Sequence, residues 1–133
     1  MLTKEKVIAR YIRDTAAEPF KWGQTDCALW ATGLFAQVNG EDPAQEVRGS
    51  YSSWIEARHV MMAWGGLEAM CRRLMATYEA SERENGICLA KVGNRSFCGI
   101  LSGGRLSLKS ARNGIVSPEE FTIIEGWGLC RRP

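Results

Sequence analysis

The chain has 133 residues, a net charge of +2, 45% hydrophobic and 24% charged residues, and five cysteines. That is enough for one domain with a single core, here residues 1–133, in the ordinary composition of a soluble globule. The near-neutral balance argues against nucleic acid or an anionic membrane surface as partner, even with Cys130-Arg131-Arg132-Pro133 at the end, and no apolar run approaches a membrane span.

Met1-Leu2-Thr3-Lys4-Glu5-Lys6 reads as the opening of a polar helix rather than a signal peptide, so synthesis in a reducing cytoplasm is expected. Val7, Ile8, Tyr11 and Ile12 repeat with helical period and predict a first helix over residues 3–16, stopped by Pro19. Gly23 turns the chain. Thr25 or Asp26 then caps a second helix with the apolar stripe Trp30, Ala31, Leu34, Phe35 and Val38, ended by Asn39-Gly40. Asp42-Pro43 predicts a capped short turn towards Val47. Ser52 or Ser53 opens a third helix carrying Trp54, Ile55, Met61 and Met62, ending before Gly65-Gly66. Leu67, Met70, Cys71, Leu74, Met75 and Tyr78 define a fourth, and the polar stretch from Ala80 to Asn85 closes that half.

After Gly86 the period changes. Ile87–Val92, Phe97–Leu101, Arg105–Lys109 and Phe121–Leu129 read as strands, with Gly93-Asn94 and Gly103-Gly104 as tight hairpin turns. Leu106 and Leu108 alternate with polar neighbours, which predicts an edge or half-exposed strand. Helices first and an antiparallel meander second give an α+β fold, with the helices packed on one face of the sheet.

Chemistry centres on Cys27. A thiol in a first helical turn meets unpaired N–H groups and the positive end of the helix dipole, both of which favour thiolate. Such a nucleophile also needs a base. The one histidine, His59, falls in the third helix on a face shared with Ile55 and Met62, and reads as a packing or surface residue. Asp26 has two readings, a capping carboxylate or a polar member of the site. Trp22 lies beside Cys27 and could line a cleft, whereas the other four tryptophans read as core. Arg48 reads as the anchor of a turn. Cys71, Cys88 and Cys98 read as buried, inert thiols. No cysteine spacing suggests a metal ligand set, and no cofactor is implied.

Phe20-x-Trp22-Gly23-x-x-Asp26-Cys27 resembles the nucleophile segment of a small family of NlpC-like proteins, with a papain-like cysteine peptidase fold, encoded in bacteriophages and prophages. Asp42-Pro43, Arg48-Gly49-x-Tyr51 and Gly65-Gly66 resemble that family's next landmarks, and Gly114-Ile115, Pro118 and Gly126-Trp127 its closing strands. The resemblance spans residues 7–128. It implies a papain-like fold, a place in the virion tail tip, other tail-tip proteins as partners, and peptidoglycan peptides as the substrate of active relatives. Those relatives carry their base as His-Val-Gly-Ile at the start of a central strand. The equivalent segment here is Phe97-Cys98-Gly99-Ile100, with phenylalanine in the place of imidazole. Phe97 and Gly99 share one strand face; a slip of one residue would aim Cys98 at Cys27 instead. Neither register supplies a base. The expectation is a tail-tip structural component with a degenerate, inactive site; the alternative is a cysteine-dependent peptidoglycan amidase or endopeptidase.

Overall fold

The computed structural model describes residues 3–80, 86–112 and 114–132. Met1, Leu2, Asn113, Pro133 and the polar stretch beyond Ala80 therefore lie outside the described residues. Four helices, α1 (Lys4–Thr15), α2 (Cys27–Asn39), α3 (Trp54–Ala63) and α4 (Leu67–Leu74), precede the strands β1 (Tyr78–Ala80), β2 (Gly86–Val92), β3 (Arg95–Ser102), β4 (Arg105–Ser110), β5 (Gly114–Val116) and β6 (Thr122–Arg131). The fold is α+β with its helices N-terminal.

Three of the four helices start where a side chain satisfies their orphan N–H groups. Thr3 accepts from Lys6 N, Asp26 from Leu29 N and Ser53 from Glu56 N. Gly40, at φ 74°, supplies the left-handed residue that ends α2. Helix α4 stops at Leu74, a turn earlier than its apolar period suggests: the chain turns after Met75, and Tyr78 begins β1 rather than extending the helix.

The sheet runs β1-β6-β2-β3-β4-β5, all antiparallel. Strands β2, β3 and β4 form the expected meander and an unexpected strand, β5, extends it, but β6 returns across it to pair with β2 on the far side. Strand β4 is interior, not an edge, because β5 pairs along its outer side. Its polar residues Ser107 and Lys109 are buried along with Leu106 and Leu108, because both faces of this part of the sheet are covered. Lys109 is accommodated there by donating from Nζ to the carbonyls of Thr15, the last residue of α1, and of Glu18 just beyond it.

Two clusters divide the sheet by strand parity. Ile87, Leu89, Cys98 and Ile100 face α1, α2 and α4, packing on Ile8, Trp30, Leu34, Phe35, Cys71 and Met75. Cys88, Ala90, Leu101, Leu106 and Leu108 face the other way, with Phe97, Val116 and Phe121 against them. A third cluster joins the opposite side of α2, at Leu29, to Val47, Tyr51, Ala57 and Met70. Helix α2 is therefore buried nearly all round, beyond the single stripe its sequence suggests, while Val38 is exposed near its end. Helix α3 carries the reverse surprise: Trp54, Ile55 and Met62 face solvent.

Candidate functional site

The site is built on the turn before α2. Thr25 Oγ1 accepts from Lys21 N and donates to the carbonyl of Pro19, closing the loop that carries Phe20 and Trp22. Gly23, at φ 81°, lets this loop lie against residues 49–51. Gly49 N donates to Gly23 O at 2.7 Å, and a Cβ on Gly23 would stand 1.8 Å from the carbonyl oxygen of Tyr51.

Asp26 sits in the middle of that contact and is buried. One carboxylate oxygen accepts from Leu29 N at 3.1 Å; the other accepts from Gly23 N at 3.0 Å and from Tyr51 Oη at 2.6 Å. The capping reading of Asp26 is thus realised, and the carboxylate also ties the loop to Tyr51. Burial and this neighbouring charge together hold the Tyr51 phenol well above its usual range.

Arg48 completes the lock. Its guanidinium donates to both oxygens of Asp42, to the carbonyls of Gln24 and Leu29, and to Thr32 Oγ1. Asp42 in turn accepts from Ala44 N, and its carboxyl is held below the usual range; burial opposes the shift, and the bonds from Arg48 and Ala44 outweigh it. Gly23, Asp26, Asp42, Arg48, Gly49 and Tyr51, scattered in sequence, together fix the first turn of α2 in place.

That turn carries Cys27, a half-buried free thiol. Its pKa is pushed up to about 12, chiefly by burial and next by the charge of Asp26; hydrogen bonds from the backbone N–H groups of Cys98 and Ala28 pull the other way and lose. The expectation that the helix start favours thiolate is corrected by these magnitudes. A helix terminus contributes about 0.3–1 kcal/mol, less than one pH unit of stabilisation, and desolvation exceeds it.

Phe97 and Cys98 both approach this sulfur, by different routes. Cys98 faces the helices, reaches Cys27 through its backbone and hydrogen-bonds the thiol of Cys71; its own thiol is raised well above the ordinary value by that bond and by burial. Phe97 belongs to the opposite face, yet its ring lines both grooves that flank Cys27. One groove, of about 460 Å³, has almost wholly apolar walls including Phe20, Val92, Leu108, Val116 and Pro118. The other, of about 510 Å³, runs between α3 and β3 past Trp22, Tyr51, Trp54 and Met61 to Arg95.

Trp22 is therefore a groove wall, packed edge-on to Phe20 at 4.8 Å and tilted against Trp54 at 5.4 Å between ring centroids. Trp54, expected in the core, is instead half-exposed beside Trp22, because the loop before α2 and not the sheet is what α3 leans on here. Trp30 and Trp127 are core residues, and Trp64 is half-buried under the guanidinium of Arg73. His59 lies on the exposed side of α3 and lines neither groove.

A family model described as a domain of unknown function, DUF6950, matches residues 2–129. The chain belongs to the DUF6950 family. No curated protein and no solved structure matches it. Among the described residues of this DUF6950 chain, no three His, Cys, Asp or Glu side chains are grouped to hold a metal ion, and no helix is long and apolar enough to cross a membrane.

Proposed function

We propose that this DUF6950 chain is a structural component of a bacteriophage or prophage tail tip, built on a degenerate NlpC-like version of the papain-like fold. Its role in this reading is to pack against other tail proteins in the virion, with the former catalytic site kept as architecture. The observation that carries the proposal is the setting of Cys27: Phe97 rather than an imidazole lines both grooves beside it, and burial with the charge of Asp26 pushes the thiol up to about 12. At neutral pH only about one such thiol in 10⁵ is ionised, against a few per cent of an unperturbed cysteine. Missing a positioned general base removes about a further 10²–10⁴ in rate. Together these leave amide hydrolysis without a nucleophile or a proton acceptor.

The use of the motif residues supports the same reading. Asp26 spends its carboxylate on a cap, a loop and Tyr51, and Arg48 on a turn, so neither offers a free polar group to a substrate. Helix-borne cysteine, antiparallel sheet and the order of the Gly, Asp-Pro and Arg-Gly-x-Tyr landmarks agree with the NlpC-like resemblance. A reconstruction of assembled tails carrying this chain tests the proposal. The chain is expected in ordered contact with neighbouring tail proteins; tails that assemble without it, or hold it free of neighbours, contradict the role.

A further inference from the structure

The groove between α3 and β3 is open and aromatic, with Arg95 at its mouth. Trp54 is 51% exposed although its ring stacks on Trp22. Trp54 and Met61, two helical turns apart, both wall the groove. Ile55 and Met62, one residue further round α3, are 67% and 65% exposed and carry the apolar surface out of the groove onto the open face of the helix. A contiguous patch of this kind, on a small chain with a well-filled core elsewhere, marks an interaction surface.

Charge selects the occupant. The two acidic groups at this surface keep their charge but are held in place by local hydrogen bonds: buried Asp26 accepts three, and Glu56 Oε1, at the start of α3, accepts from Ser52 N, Ser52 Oγ and Ser53 Oγ. The basic groups are not so held. Arg95 lines the groove at the start of β3, and Arg58 lies between Ile55 and Met62 on α3. Both are exposed, and neither side chain makes a hydrogen bond or ion pair to another described residue. Flat aromatic walls with a guanidinium at the mouth suit an extended segment that inserts a large apolar side chain and presents carboxylates to the rim.

We infer that this groove docks a short acidic segment of a neighbouring protein, its apolar side chain seated on Trp22 and Trp54 and its carboxylates paired with Arg95 and Arg58. The inference rests on the packing role proposed above and names the surface and the chemistry of the partner. The test uses the whole protein and three probes: a short peptide with a central Leu-Phe pair flanked by glutamates, its lysine-flanked counterpart, and a muropeptide monomer. Each is titrated against intrinsic tryptophan fluorescence and by calorimetry, at low salt. The glutamate peptide is expected to saturate and to bind at least about tenfold tighter than the lysine peptide. Trp54→Ala, an exposed change, weakens it, and Arg95→Glu transfers the preference to the lysine peptide. Failure to saturate, indifference to Arg95→Glu, or tighter binding of the muropeptide each overturns the inference. These results are separable from the proposed packing role itself, which fails when tails assemble without this chain or hold it free of neighbours and not by loss of a peptide.

Discussion

Replacing Phe97 by histidine probes the cause assigned to the quiet thiol. In the native chain the Cys27 thiol, at about 12, has a thiolate population at pH 7 about 10³ below that of a free cysteine in solution. Alkylation by iodoacetamide, followed for the Cys27 peptide by mass spectrometry against N-acetylcysteine, should be slower by about the same factor. Its rate should climb tenfold per pH unit through pH 10 without a plateau. An imidazolium placed about 4 Å from the sulfur, at an effective dielectric of about 20, favours the thiolate by about 4 kcal/mol, or about 10³ in its population. Phe97→His is thus expected to accelerate Cys27 alkylation by up to about 10³ at pH 6, where the new imidazole is protonated, with the gain fading as it neutralises. Wild-type Cys27 reacting within tenfold of the free thiol would refute the assigned burial; an unaltered rate in Phe97→His would refute the placement of Phe97 beside the sulfur.

Three further outcomes follow from the same packing. Cys27, Cys88, Cys98, Tyr11 and Tyr51 all keep their protons in the folded chain to higher pH than in the unfolded one, so the unfolded state releases protons first and stability falls as pH rises. Urea midpoints under reducing conditions should be independent of pH, as far as these groups go, below about pH 8, and decline above about pH 9 by up to about 1.4 kcal/mol per pH unit for each group; a flat profile to pH 10 contradicts the burial assigned to them. Gly23→Ala puts a methyl group into the Tyr51 carbonyl at a positive φ and should cost about 3 kcal/mol or more, whereas Gly40→Ala, at a similar φ with nothing nearby, should cost only about 1; equal losses in thermal midpoint would show that the contact with Tyr51 is not what Gly23 serves. Asp26→Ala removes the cap and leaves a buried N–H and a phenol without an acceptor, a loss of about 2–4 kcal/mol by denaturant titration; a loss under 1 would mean the carboxylate does not hold this turn.

Much of this architecture was legible in the residues because local chemistry agreed with the fold. Asp26 and Ser53 were each one of two candidate caps before a helical run, since such side chains satisfy the first N–H groups, and Gly93-Asn94 and Gly103-Gly104 have few uses besides hairpins. Strand β5 and the short β1 escaped because three residues carry no period, and Tyr78 continued a helical stripe until tertiary pairing with β6 claimed it. The return of β6 beside β2 was invisible for the same reason: sequence order predicts neighbours, and a strand that crosses over violates that expectation silently. Ser107 and Lys109 read as exposed because polar residues usually are, and only the carbonyls of Thr15 and Glu18 explain how the lysine is buried.

At the site, the identity of Cys27, Asp26 and Trp22 was readable, but their energetics were not. Whether a helix-start thiol ionises depends on desolvation and on Asp26, terms that oppose a small dipole effect and need coordinates to weigh. Tyr51 and Arg48 appeared as separate landmarks; their meeting around the first turn of α2 depends on contacts across 16 to 25 residues that no local pattern encodes. Trp54 and Arg95 offered no signal at all. Each is unremarkable alone, and the groove exists only because α3 stands against the start of β3.

The most direct measurement is release of soluble muropeptides from purified peptidoglycan by the native chain, set beside Cys27→Ala at equal concentration and across pH 5–9. The account predicts indistinguishable traces at background level throughout. Release by the native protein that disappears in Cys27→Ala would mean the sulfur finds a base after all, and the non-catalytic reading would be wrong.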